Sequence, residues 1–161
     1  MEKFSFGVAY RDSAVLINYI LYKEFGFRQK KTTEFNDLIL KNYNLDKSQD
    51  EINKRLKERA DFIIGYHYIT INDIEKTGIK FVDSRRAKMI DIDNDIQGEF
   101  EKYTRFSYDA LMDMGFGKVR LQRFRDFVES YSKNVQTKDI ENQADYLFEK
   151  MGLVIALPEG F

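Results

Sequence analysis

Two segments of 21 residues in this chain have similar residue types at several matching positions, which is explained either by duplication or by chance. The copies span residues 19–39 and 108–128. In both copies an acidic residue stands two positions before a glycine, and a phenylalanine directly follows that glycine. A second phenylalanine lies nine positions after the glycine. An Asp-Ile-Glu run follows each copy, at residues 73–75 and 139–141. An internal repeat constrains the architecture before any local assignment, and this one predicts two related helical modules.

Composition limits the classes of function that the chain can have. Its 161 residues suit one ordinary domain, and 43% hydrophobic residues can form a packed core. Lys and Arg total 26 against 27 for Asp and Glu, so the net charge is −1. A nucleic-acid contact must therefore come from a local basic patch rather than from overall charge. Cysteine is absent, which excludes disulfides, thiolate metal sites and cysteine nucleophiles.

The sequence also predicts the compartment. The N-terminus lacks the basic and apolar blocks of a secretory signal peptide. The longest apolar run, residues 14–21, is interrupted by Asn18 and is too short to span a bilayer. Together with the absence of cysteine, these features predict a cytoplasmic protein with no membrane contact. The sequence leaves the oligomeric state open.

Periodicity predicts a mainly α-helical fold with two repeated modules and a small β-hairpin. We expect an N-terminal module at residues 1–83, a connector at 84–106 and a C-terminal module at 107–161, within one compact domain. A short strand is predicted at residues 4–10. The two strands of the hairpin are predicted at residues 79–83 and 87–92.

Serine residues at two places have the position of helix N-caps. Ser13 precedes the apolar stretch of the first module, and Ser107 precedes the second copy of the repeat. The sequence therefore predicts that a helix begins after each of these serines.

The sharpest chemical signal is a turn with two glycines, Gly115 and Gly117, placed directly before a basic helix. Backbone N–H groups at a helix start carry partial positive charge, which suits a phosphate. Four cations follow before the first acidic residue, and they are Lys118, Arg120, Arg123 and Arg125. These six residues form the candidate site for a phosphate or a partner. The alternative is a tight interhelical turn followed by a solvated basic helix.

The first copy of the repeat has one glycine, Gly26, and a similar group of cations, Arg28, Lys30 and Lys31. If both copies bind phosphate, they engage a duplex at two points. Such contacts provide salt-dependent affinity with little sequence preference.

Residues 111–124 resemble a helix-hairpin-helix element, in which a hydrophobic-Gly-hydrophobic-Gly pattern precedes a helix that holds a DNA phosphate. Leu111 and Met114 match the hydrophobic positions before the turn, and Leu121 and Phe124 match those after it. Met114 stands where the family usually has proline. The resemblance implies phosphate contact at the two glycines.

The Gly-Phe-Gly-Lys-x-Arg-Leu-x-Arg-Phe run also resembles a segment of small proteins from Gram-positive phages and prophages, over residues 108–152. That resemblance implies a mobile-element origin and a location in the host cytoplasm. Phage accessory proteins of this size frequently bind and block a host machine, as anti-CRISPR proteins do. We therefore expect a non-enzymatic binder of a host protein or protein–nucleic-acid complex. The alternative is a sequence-tolerant protein that binds duplex DNA.

An acidic stretch near the middle of the chain is a second candidate face. It comprises Asp91, Asp93, Asp95, Glu99 and Glu101. The first three match the start of an EF-hand loop, but Ile96 replaces the required glycine and Lys102 replaces the bidentate glutamate. The stretch therefore predicts an acidic surface that meets a basic cleft rather than a calcium site.

No motif for catalysis stands out. His67 is the only histidine, so a histidine pair for a metal is impossible. The sequence contains neither a Gly-x-Ser-x-Gly elbow nor a Walker loop. We expect no catalytic residue, no metal and no cofactor, with an enzyme of unrecognised type as the third alternative.

Overall fold

The computed structural model describes residues 2–66 and 84–159, and these ranges contain six helices and no strand. The helices are α1 (Glu2–Phe25), α2 (Gln29–Asn44), α3 (Gln49–Ala60), α4 (Ser84–Asp113), α5 (Lys118–Ser132) and α6 (Thr137–Met151). The prediction of a mainly α-helical fold is confirmed. Within the described ranges, no helix combines the length and apolar character needed to cross a bilayer.

The first helix begins earlier than its sequence pattern predicts. The predicted strand at residues 4–10 is wrong, because α1 runs without a break from Glu2 to Phe25. Ser13 is not an N-cap; it lies inside α1, and its hydroxyl donates to the Ala9 carbonyl at 2.6 Å. Ala9 and Tyr10 are both buried beside exposed Val8, a pattern that fits one face of a helix better than strand alternation.

The predicted strand at residues 87–92 is also wrong, because these residues belong to the 30-residue helix α4. The partner strand at 79–83 lies outside the described residues. Ser107 is buried in the middle of α4, where its hydroxyl donates to the Tyr103 carbonyl at 2.8 Å. No proline interrupts α4, and packing offsets the roughly 1 kcal/mol penalty of Gly98. The helix crosses residue 107, the expected start of the second module.

Helices α1 and α4 form the centre of the protein. Four consecutive residues of α1, Ala14 to Ile17, are buried, so this part of the helix is covered on every side. It packs against α4, α5 and α6. Helix α4 contributes the largest buried side chains and packs in turn against α1, α2 and α3.

The packing partners reveal an approximate twofold arrangement. The outer helices α2 and α3 pack on α4, whereas the outer helices α5 and α6 pack on α1. Each group of three helices thus places its outer pair on the central helix of the other group. The two groups share one hydrophobic core.

The last helix of each group, α3 in the first and α6 in the second, ends with the same backbone conformation. Asp61 follows α3 with φ 65° and ψ 23°, and Gly152 follows α6 with φ 65° and ψ 22°. Both residues lead into an extended segment in which an exposed residue, Ile63 or Val154, stands between two half-buried apolar ones. The resemblance between the groups therefore extends beyond the 21-residue repeat. The structural counterpart of α6 is α3, whereas residues 73–75 lie outside the described ranges.

Candidate nucleic-acid interface

The turn in the second copy of the repeat, called the second turn below, connects α4 to α5. Its backbone N–H groups donate to carbonyls at the end of α4. The N–H of Gly115 donates to the Met112 carbonyl at 3.0 Å, and the N–H of Phe116 donates to the Leu111 carbonyl at 2.9 Å. Gly115 has φ 94°, a conformation that favours glycine. Phe116 is buried, and Gly117 is the N-cap of α5 with extended backbone.

The first turn has the same backbone course. Gly26 follows α1 with φ 70°, Phe27 is buried, and Arg28 is the extended N-cap of α2. Arg28 has φ −117°, and its counterpart Gly117 has φ −96°. A negative φ is open to any residue, so the absence of a second glycine in the first copy does not change the turn.

Both turns lead into helices that lack a side-chain cap. No side chain caps α2 or α5, and neither helix has an acidic residue in its first turn. By contrast, the Ser48 hydroxyl caps α3, and Gln136 with Asp139 forms a capping box at α6. The first N–H groups of α2 and α5 therefore face water or an anion, and the helix dipole favours the anion.

The two turns are in direct contact. The rings of Phe27 and Phe116 meet edge to face with centroids 6.1 Å apart, and the ring of Phe25 lies 5.5 Å from that of Phe116. Both uncapped helix starts therefore lie at one end of the protein.

Exposed cations surround the two turns. We call these side chains and the two uncapped helix starts the turn platform; its cations are Arg28, Lys30, Lys31, Lys118, Arg120 and Arg123. Several of them rest on the aromatic rings that join the turns. The Lys31 ammonium lies 5.7 Å from the Phe27 ring centroid, and the Arg120 guanidinium lies 4.3 Å from that of Phe116.

The four cations predicted from the sequence differ in their surroundings. Lys118 pairs with Asp61 at 2.8 Å, and this contact lowers the pKa of Asp61. Arg120 donates to the Gly115 carbonyl at 2.8 Å, and Arg123 lies 5.4 Å from the Phe25 ring centroid. Among the described residues, no carboxylate lies within ion-pair distance of Arg120 or Arg123.

Arg125 lies apart from the platform. Its guanidinium contacts the neighbouring Asp126 at 3.3 Å and lies 4.6 Å from the Phe62 ring centroid, beside the segment that follows α3. The structure thus brings together Gly115, Gly117, Lys118, Arg120 and Arg123, together with the first turn, and leaves Arg125 beside α3.

Helix α3 braces the second turn, a role that local sequence patterns do not reveal. Arg59 donates to the Phe116 carbonyl at 3.3 Å, and Gln122 donates to the Ala60 carbonyl at 3.0 Å. These partners are about sixty residues apart in sequence, since 116 − 59 = 57 and 122 − 60 = 62. Only the helix packing brings them together.

The predicted acidic face is not present at Glu99 and Glu101. Glu99 is half-buried and accepts a hydrogen bond from the Tyr43 hydroxyl at 3.0 Å, and burial raises its pKa. Glu101 is buried and lies 3.7 Å from the Arg105 guanidinium. Both positions lie on the part of α4 that faces other helices. Asp91, Asp93 and Asp95 also belong to α4, but their side chains lie outside the described residues.

The described residues contain no group of three or more histidine, aspartate or glutamate side chains arranged to hold a metal ion. His67 lies outside the described ranges. Comparisons with protein-family models, with curated proteins and with solved structures found no match for this chain.

Proposed function

We propose that this protein binds the phosphate backbone of duplex DNA through the turn platform, without catalysing a reaction. The contact between two uncapped, basic helix starts carries the proposal. Each start offers N–H groups and positive charge to an anion, and the Phe27–Phe116 contact places the starts side by side. A polymer with regularly spaced phosphates can occupy both starts at once.

The platform concentrates positive charge in a protein whose net charge is −1. Six cations lie on it, and only Lys118 has a carboxylate partner among the described side chains. If about four phosphates are neutralised, affinity falls about a hundredfold between about 50 and 200 mM salt. Such a slope is the thermodynamic signature of phosphate contacts.

The platform favours backbone contact over base readout. Helix starts and lysine or arginine side chains around a turn bind phosphate oxygens, which carry no direct sequence information. We therefore expect similar affinity for duplexes of unrelated sequence at a given salt concentration.

A host protein or protein–nucleic-acid complex is the other partner expected from the phage resemblance. A complex that contains duplex DNA offers the same phosphates, so the platform serves in that case too. A protein target without nucleic acid would instead be captured from a nuclease-treated lysate.

The test is fluorescence anisotropy with a short labelled blunt duplex at about 50 mM salt, near the low end of the usual test range. Wild-type protein is expected to bind, and Arg120→Glu plus Arg123→Glu is expected to weaken binding at least tenfold. The matched control is Lys133→Glu plus Lys138→Glu, which makes the same change in net charge. Lys133 follows the far end of α5, and Lys138 lies in the first turn of α6. Equal loss in both pairs, or no binding by wild type, overturns the proposal.

A further inference from the structure

A cluster of tyrosines lies in the seam between α1 and α6, beside the first turn. The Tyr146 ring of α6 packs edge to face against two rings of α1, with centroids 5.6 Å from both Tyr19 and Tyr22. All three tyrosines are half-buried, and Tyr19 and Tyr22 pack against the hydrophobic core.

Exposed cations accompany these rings. The Lys23 ammonium lies 4.7 Å from the Tyr146 ring centroid, and the Lys150 ammonium lies 5.6 Å from it on the C-terminal side. The Arg28 guanidinium lies 3.9 Å from the Tyr22 ring centroid. Within the described part of the chain, none of these three cations has a carboxylate at ion-pair distance.

The corresponding seam of the other module, between α4 and α3, has a different character. There Arg55 forms ion pairs with Asp109 at 2.8 Å and with Asp113 at 2.9 Å, and Arg59 donates to the Phe116 carbonyl. Arg55 is thus neutralised by carboxylates, whereas Arg59, like Arg28 of the α1–α6 seam, donates to backbone carbonyls. In the α1–α6 seam, by contrast, half-exposed rings meet cations that have no carboxylate partner among the described residues, so the corresponding seams of the two modules differ chemically.

Arg28 connects this seam to the turn platform. It is the N-cap of α2, and its guanidinium is also stacked on Tyr22. A strand whose phosphate lies at the start of α2 therefore meets Tyr22 and Tyr146 as its next neighbours. Aromatic rings interleaved with cations are the chemistry that binds unpaired bases, since every base has a face that stacks and each nucleotide brings one phosphate.

We infer that the seam formed by Tyr19, Tyr22 and Tyr146, with Lys23, Arg28 and Lys150, binds unpaired nucleotides that continue from a duplex held by the turn platform. This inference rests on the proposed function. The preferred ligand is then a duplex with a single-stranded extension, and the extension adds affinity by stacking and by further phosphate contacts.

The experiment compares two labelled probes with equal numbers of phosphates, a blunt duplex and a duplex with a single-stranded thymidine extension. Wild type is expected to bind the extended probe about tenfold more tightly, within the range for one base stacked on an aromatic side chain. Tyr22→Leu and Tyr146→Leu keep apolar packing but remove the ring, and each should abolish this preference while binding to the blunt duplex persists. Phe148→Leu, an exposed position two residues further along α6, is the matched control and should retain the preference.

The outcomes separate the two proposals. If neither probe binds, the proposed function fails. If both probes bind equally, the proposed function stands and the seam has no role. If Tyr146→Leu weakens both probes to the same extent, the ring acts through the fold and the inference is overturned. Photo-crosslinking of 4-thiothymidine in the extension gives an independent measurement: attachment to peptides that contain Tyr22 or Tyr146 supports the inference, and attachment only elsewhere contradicts it.

Discussion

Phe27 and Phe116, which occupy equivalent positions in the two copies of the repeat, touch each other with their ring planes at 86°. Contact between equivalent residues means that the approximate twofold axis passes close to both turns. The two turns therefore share one buried aromatic contact. This relationship is the physical reason for expecting the turns to bind a ligand together.

The Phe27–Phe116 contact should be measurable as a coupling energy. We expect Phe27→Leu and Phe116→Leu to destabilise the protein separately and to show a coupling of about 0.5–1.5 kcal/mol in the double variant. Urea denaturation of the four proteins provides the measurement. If the changes in the free energy of unfolding caused by the two substitutions are strictly additive, the two turns are energetically independent.

The two glycines of the second turn should respond differently to alanine. Gly115 has φ 94°, so Gly115→Ala should lower the free energy of unfolding by about 1–2 kcal/mol. Gly117 has φ −96°, and a Cβ there meets no atom within 4 Å, so Gly117→Ala should cost less than Gly115→Ala, with a small loss because alanine is a poorer N-cap than glycine. Urea denaturation distinguishes the two variants. Gly26, with φ 70°, is the matched position in the first turn and should behave like Gly115.

Asp61 should weaken duplex binding, because its carboxylate pairs with Lys118 on the turn platform. Asp61→Asn should strengthen binding and make the salt dependence steeper by about one counterion. Asparagine tolerates the left-handed backbone at this position, and an exposed ion pair contributes little to stability, so the fold should persist. Asp126→Asn, which frees Arg125 away from the platform, is the control. Equal gains in affinity from both variants would argue against our exclusion of Arg125 from the turn platform.

Glu99 should make stability depend on pH. Burial raises its pKa from the ordinary value of 4.5, against the opposing hydrogen bond from Tyr43. Because the pKa of Glu99 is higher in the folded state than in the unfolded state, protonation of Glu99 stabilises the fold at pH values below the unfolded-state pKa. This stabilisation is lost as the pH rises through the folded-state pKa. Glu99→Gln should therefore be more stable than wild type at neutral pH, with the advantage vanishing below about pH 4.5. Thermal unfolding across this range measures the difference, and a constant offset at all pH values would contradict the assignment.

The features that could be predicted from sequence are those with local causes. Gly26 and Gly115 need positive φ, and a buried phenylalanine follows each, so the shared turn is visible in the repeat itself. The strand expected at residues 4–10 is wrong, because loose alternation there conceals a helical face that becomes apparent only when Tyr10 packs against Tyr43 of α2 and Tyr103 of α4. Local preference gave way to tertiary packing.

The composition of the candidate site depends on contacts that no local pattern contains. The Lys118–Asp61 pair and the Arg59–Phe116 hydrogen bond each join residues 57 positions apart, since 118 − 61 = 57 and 116 − 59 = 57. The charged face of α3 therefore reads in sequence as a solvated surface. Glu99 reads as an acidic surface for the same reason, because Tyr43 meets it only after folding. Glu101 and Arg105 form a local i,i+4 pair, and what the sequence conceals there is the burial of both side chains.

The most direct test is the salt dependence of duplex binding for four proteins. They are wild type, Lys31→Glu beside the first interhelical turn, Arg120→Glu beside the second interhelical turn, and the double variant. Anisotropy titrations between about 50 and 200 mM salt provide the slopes. We predict that each single variant weakens binding and flattens the slope by about one to two counterions, and that the double variant loses both contributions. Unchanged affinity and slope in either single variant would show that the two turns do not act as one phosphate-binding platform.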